Sequence, residues 1–100
     1  MDSHEYAKVF KALSDPSRVQ ILLMLSQKTI CACQFYKQLG VSQPTASHHL
    51  KSLIEANIIT GQKEGKWIHY SLNKEVIAKM LLFFDFLDVG DLVCACQEGI

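Results

Sequence analysis

The chain of 100 residues has no long apolar run, only two prolines and no net charge, because ten basic residues balance ten acidic ones. A membrane-spanning helix needs roughly 18 or more apolar residues, and the longest candidate, Val76 to Val89, is interrupted by Lys79, Asp85 and Asp88. The N-terminus has neither the basic region nor the apolar stretch of a secretory signal. We therefore expect a cytoplasmic protein with no membrane partner. Because the cytoplasm keeps thiols reduced, a stable structural disulfide is disfavoured.

The sequence also lacks the motifs of common enzyme sites. It has no glycine-rich phosphate loop, no paired carboxylates suited to a cleft, and no cysteine with a motif-related histidine. The hydrophobic fraction of 49% is nevertheless sufficient for one folded domain. We expect a non-enzymatic domain over residues 1–90, followed by a cysteine-containing C-terminal tail over residues 91–100.

The neutral total conceals an uneven charge distribution. Between Lys37 and Lys79 six lysines face three glutamates, a local charge of +3, whereas the residues from Met80 onward carry four acidic and no basic side chains. Such asymmetry permits an anionic partner at one face. A local charge of this size is also ordinary for a solvated surface, so it does not identify the partner by itself.

Apolar spacing of three to four residues predicts four helices in the first half of the chain. Asp15 is a typical N-cap before the second helix, Gly40 ends the third, and Ser42 is the N-cap of the fourth. Beyond Asn57 the apolar period changes to two, Glu64-Gly65 favours a hairpin turn, and a last helix follows. A helix-turn-helix followed by a hairpin predicts a mainly α winged helix-turn-helix with a small β-hairpin.

Three motifs in register resemble the ArsR/SmtB family of metal- and metalloid-responsive bacterial repressors. They are Leu13-Ser14-Asp15-Pro16-Ser17-Arg18, the stretch from Ser42 to Leu50 (SQPTASHHL), and Gly65 to Tyr70 (GKWIHY). The resemblance extends from about Tyr6 to Leu82. It implies a homodimeric winged-helix repressor that leaves its operator DNA when an inducer binds.

The fourth helix has a polar face suited to double-stranded DNA. Recognition helices place N-terminal side chains at base edges in the major groove, and lysines bind phosphates. The predicted DNA-binding residues are Gln43, Thr45, Ser47, His48 and Lys51 on this helix, with Lys63 and Lys66 in the wing. His49 lies beside the apolar stripe, so packing and DNA contact remain equally open for it.

The last helix carries more large apolar residues than one face against a small domain requires, and the first helix has an aromatic stripe. Excess apolar surface usually marks an interface, and two-fold pairing is the economical solution. The predicted dimer interface consists of Tyr6, Phe10, Met80, Phe83, Phe84 and Leu87. The alternative is that these residues fill a monomeric core, and the family resemblance favours the dimer.

Four cysteines occur as two Cys-Ala-Cys triplets. Cys31 and Cys33, at the predicted start of the third helix, resemble the Cys-x-Cys of arsenic-responsive family members, although Tyr36 stands where many of these place a third thiol. Trivalent arsenic takes three sulfur ligands, and soft ions such as Cd²⁺, Pb²⁺ and Zn²⁺ accept four. Cys94 and Cys96 are the candidates for the missing ligand, from the same chain or across a dimer. The resemblance implies arsenite, or one of these soft ions, as inducer.

Two alternatives stay open at this stage. The cysteines could form a reversible disulfide, as in redox- or sulfide-sensing relatives. The chain could also be a protein-interaction module, which salt-dependent DNA binding would exclude. The family's other metal site, a zinc site on the last helix, is not supported because that helix contains no histidine.

Overall fold

A computed structural model of the chain describes residues 1–27 and 30–87, with the backbone alone at residues 30–33. The elements are α1 (Ser3–Ala12), α2 (Pro16–Leu25), β1 (Ile30–Cys31), α3 (Ala32–Leu39), α4 (Gln43–Glu55), β2 (Ile59–Glu64), β3 (Trp67–Leu72) and α5 (Lys74–Leu87). The mainly α winged helix-turn-helix class is confirmed. The predicted boundary near residue 90 and the tail over residues 91–100 lie outside the described residues. Among the helices of the described ranges, none combines the length and the hydropathy needed to cross a membrane.

Short-range hydrogen bonds fix the helix starts. At α1, Asp2 Oδ1 accepts from the Glu5 amide over 2.9 Å, while Glu5 Oε1 accepts from the Asp2 amide over 3.1 Å, a capping box. At α2, Asp15 Oδ1 accepts from the Ser17 amide over 2.8 Å, and Pro16 occupies the first turn, where no amide donor is needed. The predicted cap at Asp15 is therefore confirmed.

The small sheet has three antiparallel strands in the order β1-β3-β2. Glu64 pairs with Trp67, so the two-residue turn of the wing is Gly65-Lys66, one residue later than the sequence predicted. Gly65 has a φ of 62°, a left-handed conformation that glycine adopts without steric cost. The hairpin itself is confirmed.

The start of the third helix differs from the sequence prediction. Ile30 and Cys31 form β1 opposite Tyr70 and His69, and α3 begins only at Ala32. Helical periodicity is a local property, whereas this strand depends on pairing with a segment far along the chain. The cysteine pair therefore lies at a strand-to-helix junction.

The core lies between the helices and the sheet. Its most deeply buried large side chains are Val9, Ile21, Phe35, Leu53, Ile58 and Ile59. Helix α2 is rich in apolar residues but is not buried on all sides, because Val19 and Leu23 are 41% and 58% exposed. Only one face of α2 packs against α3, α4 and β3, and the other face remains on the surface of the single chain.

Candidate nucleic-acid interface and metal site

The orientation of α4 is set by its cap and its buried face. Ser42 Oγ accepts from the Thr45 amide over 3.3 Å and donates to Thr45 Oγ1 over 2.9 Å, which closes the first turn. The buried side chains of the helix are Ala46, His49, Leu50 and Leu53. Because these pack inward against the domain, the remaining side of α4 faces outward along its whole length.

The outward side of α4 carries the polar residues that the sequence predicted to bind DNA. Gln43, Thr45, Ser47, His48 and Lys51 are all exposed, as are Lys63 and Lys66 in the wing. Lys66 Nζ lies 5.6 Å from the centroid of the Trp67 ring, a cation–π distance. Trp67 is itself 48% exposed, so it supports the wing surface rather than the core. DNA contact by these seven residues stays a prediction.

His49 belongs to the interior and not to this face. It is 8% exposed, and its Nδ1 accepts a hydrogen bond from Arg18 Nε over 3.1 Å. Arg18 Nη1 also donates to the Ala12 carbonyl over 3.4 Å. The structure thus supports the packing alternative for His49, and it adds Arg18 as a residue that sequence reasoning did not assign.

Aromatic side chains of α1 and α5 form one cluster. The ring centroids of Tyr6 and Phe83 lie 4.4 Å apart, those of Phe10 and Phe83 5.6 Å, and those of Phe10 and Phe84 5.9 Å. A groove of about 430 Å³ beside the cluster is lined by Tyr6, Leu82, Phe83, Phe86 and Leu87. Exposed apolar surface of this kind is typical of interaction sites, and its role as a dimer interface stays a prediction.

Exposure in the single chain bears on two parts of the predicted interface, which itself stays a prediction. Met80 is only 8% exposed and belongs to the core of the single chain, so little of it remains for a partner. Leu82 and Phe86, which sequence reasoning omitted, are 67% and 79% exposed. They stand four residues apart on α5, so helical spacing could have identified them.

The predicted ion-binding residues are only partly placed. Cys31 lies in β1 and Cys33 in the first turn of α3, while Cys94 and Cys96 lie outside the described residues. Among the described side chains, no group of three or more His, Cys, Asp or Glu is arranged to hold a metal ion. His69, directly opposite Cys31 in the sheet, is a potential ligand that sequence reasoning did not consider.

A capped helix with an exposed polar face, preceded by a helix and followed by a two-stranded wing, defines a winged helix-turn-helix DNA-binding protein. Residues 15–60 match the model of the arsR family of bacterial regulatory proteins. The chain is also 39% identical over 98 residues to an arsenical resistance operon repressor of Staphylococcus xylosus, covering 98% of this chain and 94% of that protein. The chain belongs to the arsR family, whose members are transcriptional regulators and not enzymes.

Two further proteins, one known by its sequence and one by its solved structure, are similar to this chain. A cadmium resistance transcriptional regulatory protein of Staphylococcus aureus, a CadC homolog, is 42% identical over 78 residues, covering 77% of this chain and 64% of that protein. A homodimeric winged helix-turn-helix DNA-binding domain from Mycobacterium bovis, solved in solution, has a TM-score of 0.71 and 26% identity, covering 84% of this chain and 78% of that one.

Proposed function

We propose that this chain is a homodimeric repressor that leaves its operator when a thiophilic ion, arsenite first, binds its cysteine thiolates. The observation that carries the proposal is the position of Cys31 and Cys33 at the junction of β1 and α3, the helix that packs on α4. The chain is similar over nearly its whole length to an arsenical resistance operon repressor, which supports arsenite as the inducer.

DNA binding is assigned to the exposed side of α4 and to the wing. Gln43, Thr45 and Ser47 stand in the first turns of α4, where recognition helices reach base edges. Lys63 and Lys66 extend from the wing as phosphate ligands, which position a protein without reading sequence. Two such surfaces in a dimer fit an imperfect palindrome with half-sites about 34 Å apart, one helical turn of DNA.

The dimer is assigned to the aromatic cluster of α1 and α5. Phe84, Phe86 and Leu87 are more than half exposed in the single chain. Burying apolar surface contributes roughly 25 cal/mol per Å², so two-fold pairing of these helices would gain free energy by removing their exposed apolar side chains from water. The solved domain from Mycobacterium bovis is described as homodimeric, which supports a homodimer but does not locate its interface.

The inducer site is assigned to Cys31 and Cys33 with one of the tail cysteines, Cys94 or Cys96, as the third thiolate. Three thiols replace the three hydroxyl groups of arsenite and release three waters, so the ion joins three points of the protein. Such a bridge stiffens or shifts α3 relative to α4. Release from DNA then follows from the ion's different affinity for the two states, typically 1–3 kcal/mol in allosteric proteins.

The testing experiment titrates the reduced protein on its own upstream DNA with arsenite, Cd²⁺, Pb²⁺, Zn²⁺ and a mild oxidant in turn. We expect salt-dependent binding and release by arsenite at the lowest concentration. Release by oxidant and by no ion would replace the ion site with a disulfide switch. Absence of any salt-dependent DNA binding would favour a protein-interaction module instead.

A further inference from the structure

The β1–β3 ladder brings two potential metal ligands together. Cys31 and His69 are partners in the antiparallel register, one step from the pair of Ile30 and Tyr70. Directly opposite residues are the nearest cross-strand neighbours, with Cβ atoms typically ~4.5–5.5 Å apart in such pairs. A residue that sequence reasoning placed only in the wing therefore lies directly opposite Cys31 in the sheet.

His69 lies on the solvent-facing side of the sheet. Its neighbour Tyr70 is buried and stacks edge-on against Phe35, with ring centroids 5.9 Å apart. Successive side chains of a strand point to opposite faces, and the His69 side chain is 37% exposed accordingly. An ion arriving from solvent can reach its imidazole without any rearrangement of the core.

The environment of the imidazole suits a metal ligand. His69 Nε2 lies 3.8 Å from Glu64 Oε2 across the wing. Metal-binding histidines characteristically direct their second ring nitrogen to a carboxylate, which fixes the ring and raises its basicity. Glu64 lies nearest to Nε2, at a distance longer than a direct hydrogen bond, and Nδ1 is the ring nitrogen that remains for an ion.

We propose that His69 is a ligand for soft divalent cations at the cysteine site, where it adds a fourth donor that arsenite does not use. The inference rests on the proposed function, since it takes Cys31 and Cys33 as the thiolate ligands. Cd²⁺ and Zn²⁺ accept four ligands and bind imidazole as well as thiolate, whereas trivalent arsenic is satisfied by three sulfurs. His69 thus extends the inducer range from a metalloid to divalent ions.

The position of His69 also gives divalent ions a second route to the DNA-binding surface. His69 lies in β3, the strand that follows Lys66 at the tip of the wing. An ion held by His69 and by the β1–α3 junction links the wing to the helix that packs on α4. Its binding energy can therefore act on both DNA-contacting parts of the fold.

The test compares His69→Gln with the matched control His4→Gln, a substitution at an exposed position in α1. For each full-length reduced protein, Cd²⁺ affinity is measured by competition with a chromophoric chelator, and DNA release is measured with Cd²⁺ and with arsenite. We expect His69→Gln to lower Cd²⁺ affinity at least ~10-fold. Losing only a hydrogen-bond partner of a metal ligand already costs that much, and losing the ligand itself should cost no less. Arsenite-driven release and ion-free DNA affinity should match those of the wild type and of His4→Gln.

Two further measurements separate ligation from a structural role. The Co²⁺ absorption bands of the wild type should shift in His69→Gln, and His69→Cys, which supplies a thiolate instead, should restore Cd²⁺ affinity. Unchanged Cd²⁺ affinity and Co²⁺ spectrum in His69→Gln would overturn the role of His69 while arsenite release remains intact. Equal losses for arsenite and Cd²⁺ without rescue by His69→Cys would likewise overturn it. A wild type released by no ion would instead refute the proposed function.

Discussion

Arg18 Nε donates a hydrogen bond to Nδ1 of His49 over 3.1 Å and so joins the first turn of α2 to the middle of α4. The same guanidinium reaches the carbonyl of Ala12 at the end of α1. One partly buried side chain thereby connects three helices. The contact holds His49 on the buried side of α4, whereas the neighbouring His48 is exposed to solvent.

The two adjacent histidines of α4 should respond differently to alanine substitution. His49→Ala leaves Arg18 Nε without its acceptor and is expected to reduce the free energy of unfolding by about 1–3 kcal/mol. His48→Ala, at an exposed site, should change it by less than ~0.5 kcal/mol while weakening operator binding. Urea denaturation and fluorescence anisotropy on operator DNA measure the two effects. Equal stability losses in both variants would contradict the buried role of His49.

Base recognition should depend on the exposed side of α4. The double variant Ser47→Ala/His48→Ala removes two polar side chains that have no part in the core, so specific operator binding should weaken while thermal unfolding is unchanged. Binding to unrelated DNA, which depends on phosphate contacts, serves as the control. Wild-type operator affinity in the double variant would remove α4 from the recognition model.

The wing lysines should contribute charge without sequence preference. Lys66→Gln is expected to weaken specific and unrelated DNA similarly and to lower the slope of log affinity against log salt by roughly 0.9, the value for one phosphate contact. The slope is obtained from anisotropy titrations at several salt concentrations. Lys8→Gln, exposed in α1, is the matched control. A slope identical to that of the wild type would place Lys66 away from the phosphates.

The dimer should depend on the exposed apolar side of α5. Phe86 is 79% exposed, so Phe86→Glu disturbs little within one chain and is expected to give folded monomers, because pairing would bury an unpaired charge. Phe83→Glu, inside the aromatic cluster, should give monomers or aggregates. Ile68→Glu in the wing is the control and should remain dimeric. Sedimentation at micromolar concentration measures assembly, and a monomeric wild type would contradict the assignment.

Removing Cys31 and Cys33 and removing Cys94 and Cys96 test separately which cysteines are needed for arsenite-driven release from operator DNA. Cys31→Ser/Cys33→Ser and a truncation after Leu92 should both still bind operator DNA, since both variants keep all seven predicted DNA-binding residues of α4 and the wing. The first variant should lose arsenite-driven release because two of three sulfur ligands are gone. A gel-shift titration measures the arsenite concentration at which each variant and the wild type leave operator DNA. A truncated protein that responds like the full chain would exclude Cys94 and Cys96 as ligands.

Local chemistry made much of the fold predictable. The caps at Asp15 and Ser42 depend on residues within three positions, and Asn73 Oδ1 likewise accepts from the Glu75 and Val76 amides over 3.2 and 3.4 Å. The spacing of apolar residues changes from three to four residues in the helices to two in the hairpin, and this change correctly predicted the wing. The polar side of α4 was equally readable, because helical spacing alone separates it from the buried stripe.

The sequence by itself therefore determined the order of the elements, the caps and the polar surface of α4, since each follows from interactions between near neighbours. Only the tertiary structure decided that Cys31 belongs to a strand opposite His69, that His49 is buried against Arg18, and that Met80 lies in the core while Phe86 remains outside. These outcomes depend on which distant segments pack together. The spacing of apolar residues indicates which face of a helix or strand is apolar, but which segment packs against that face depends on the tertiary structure.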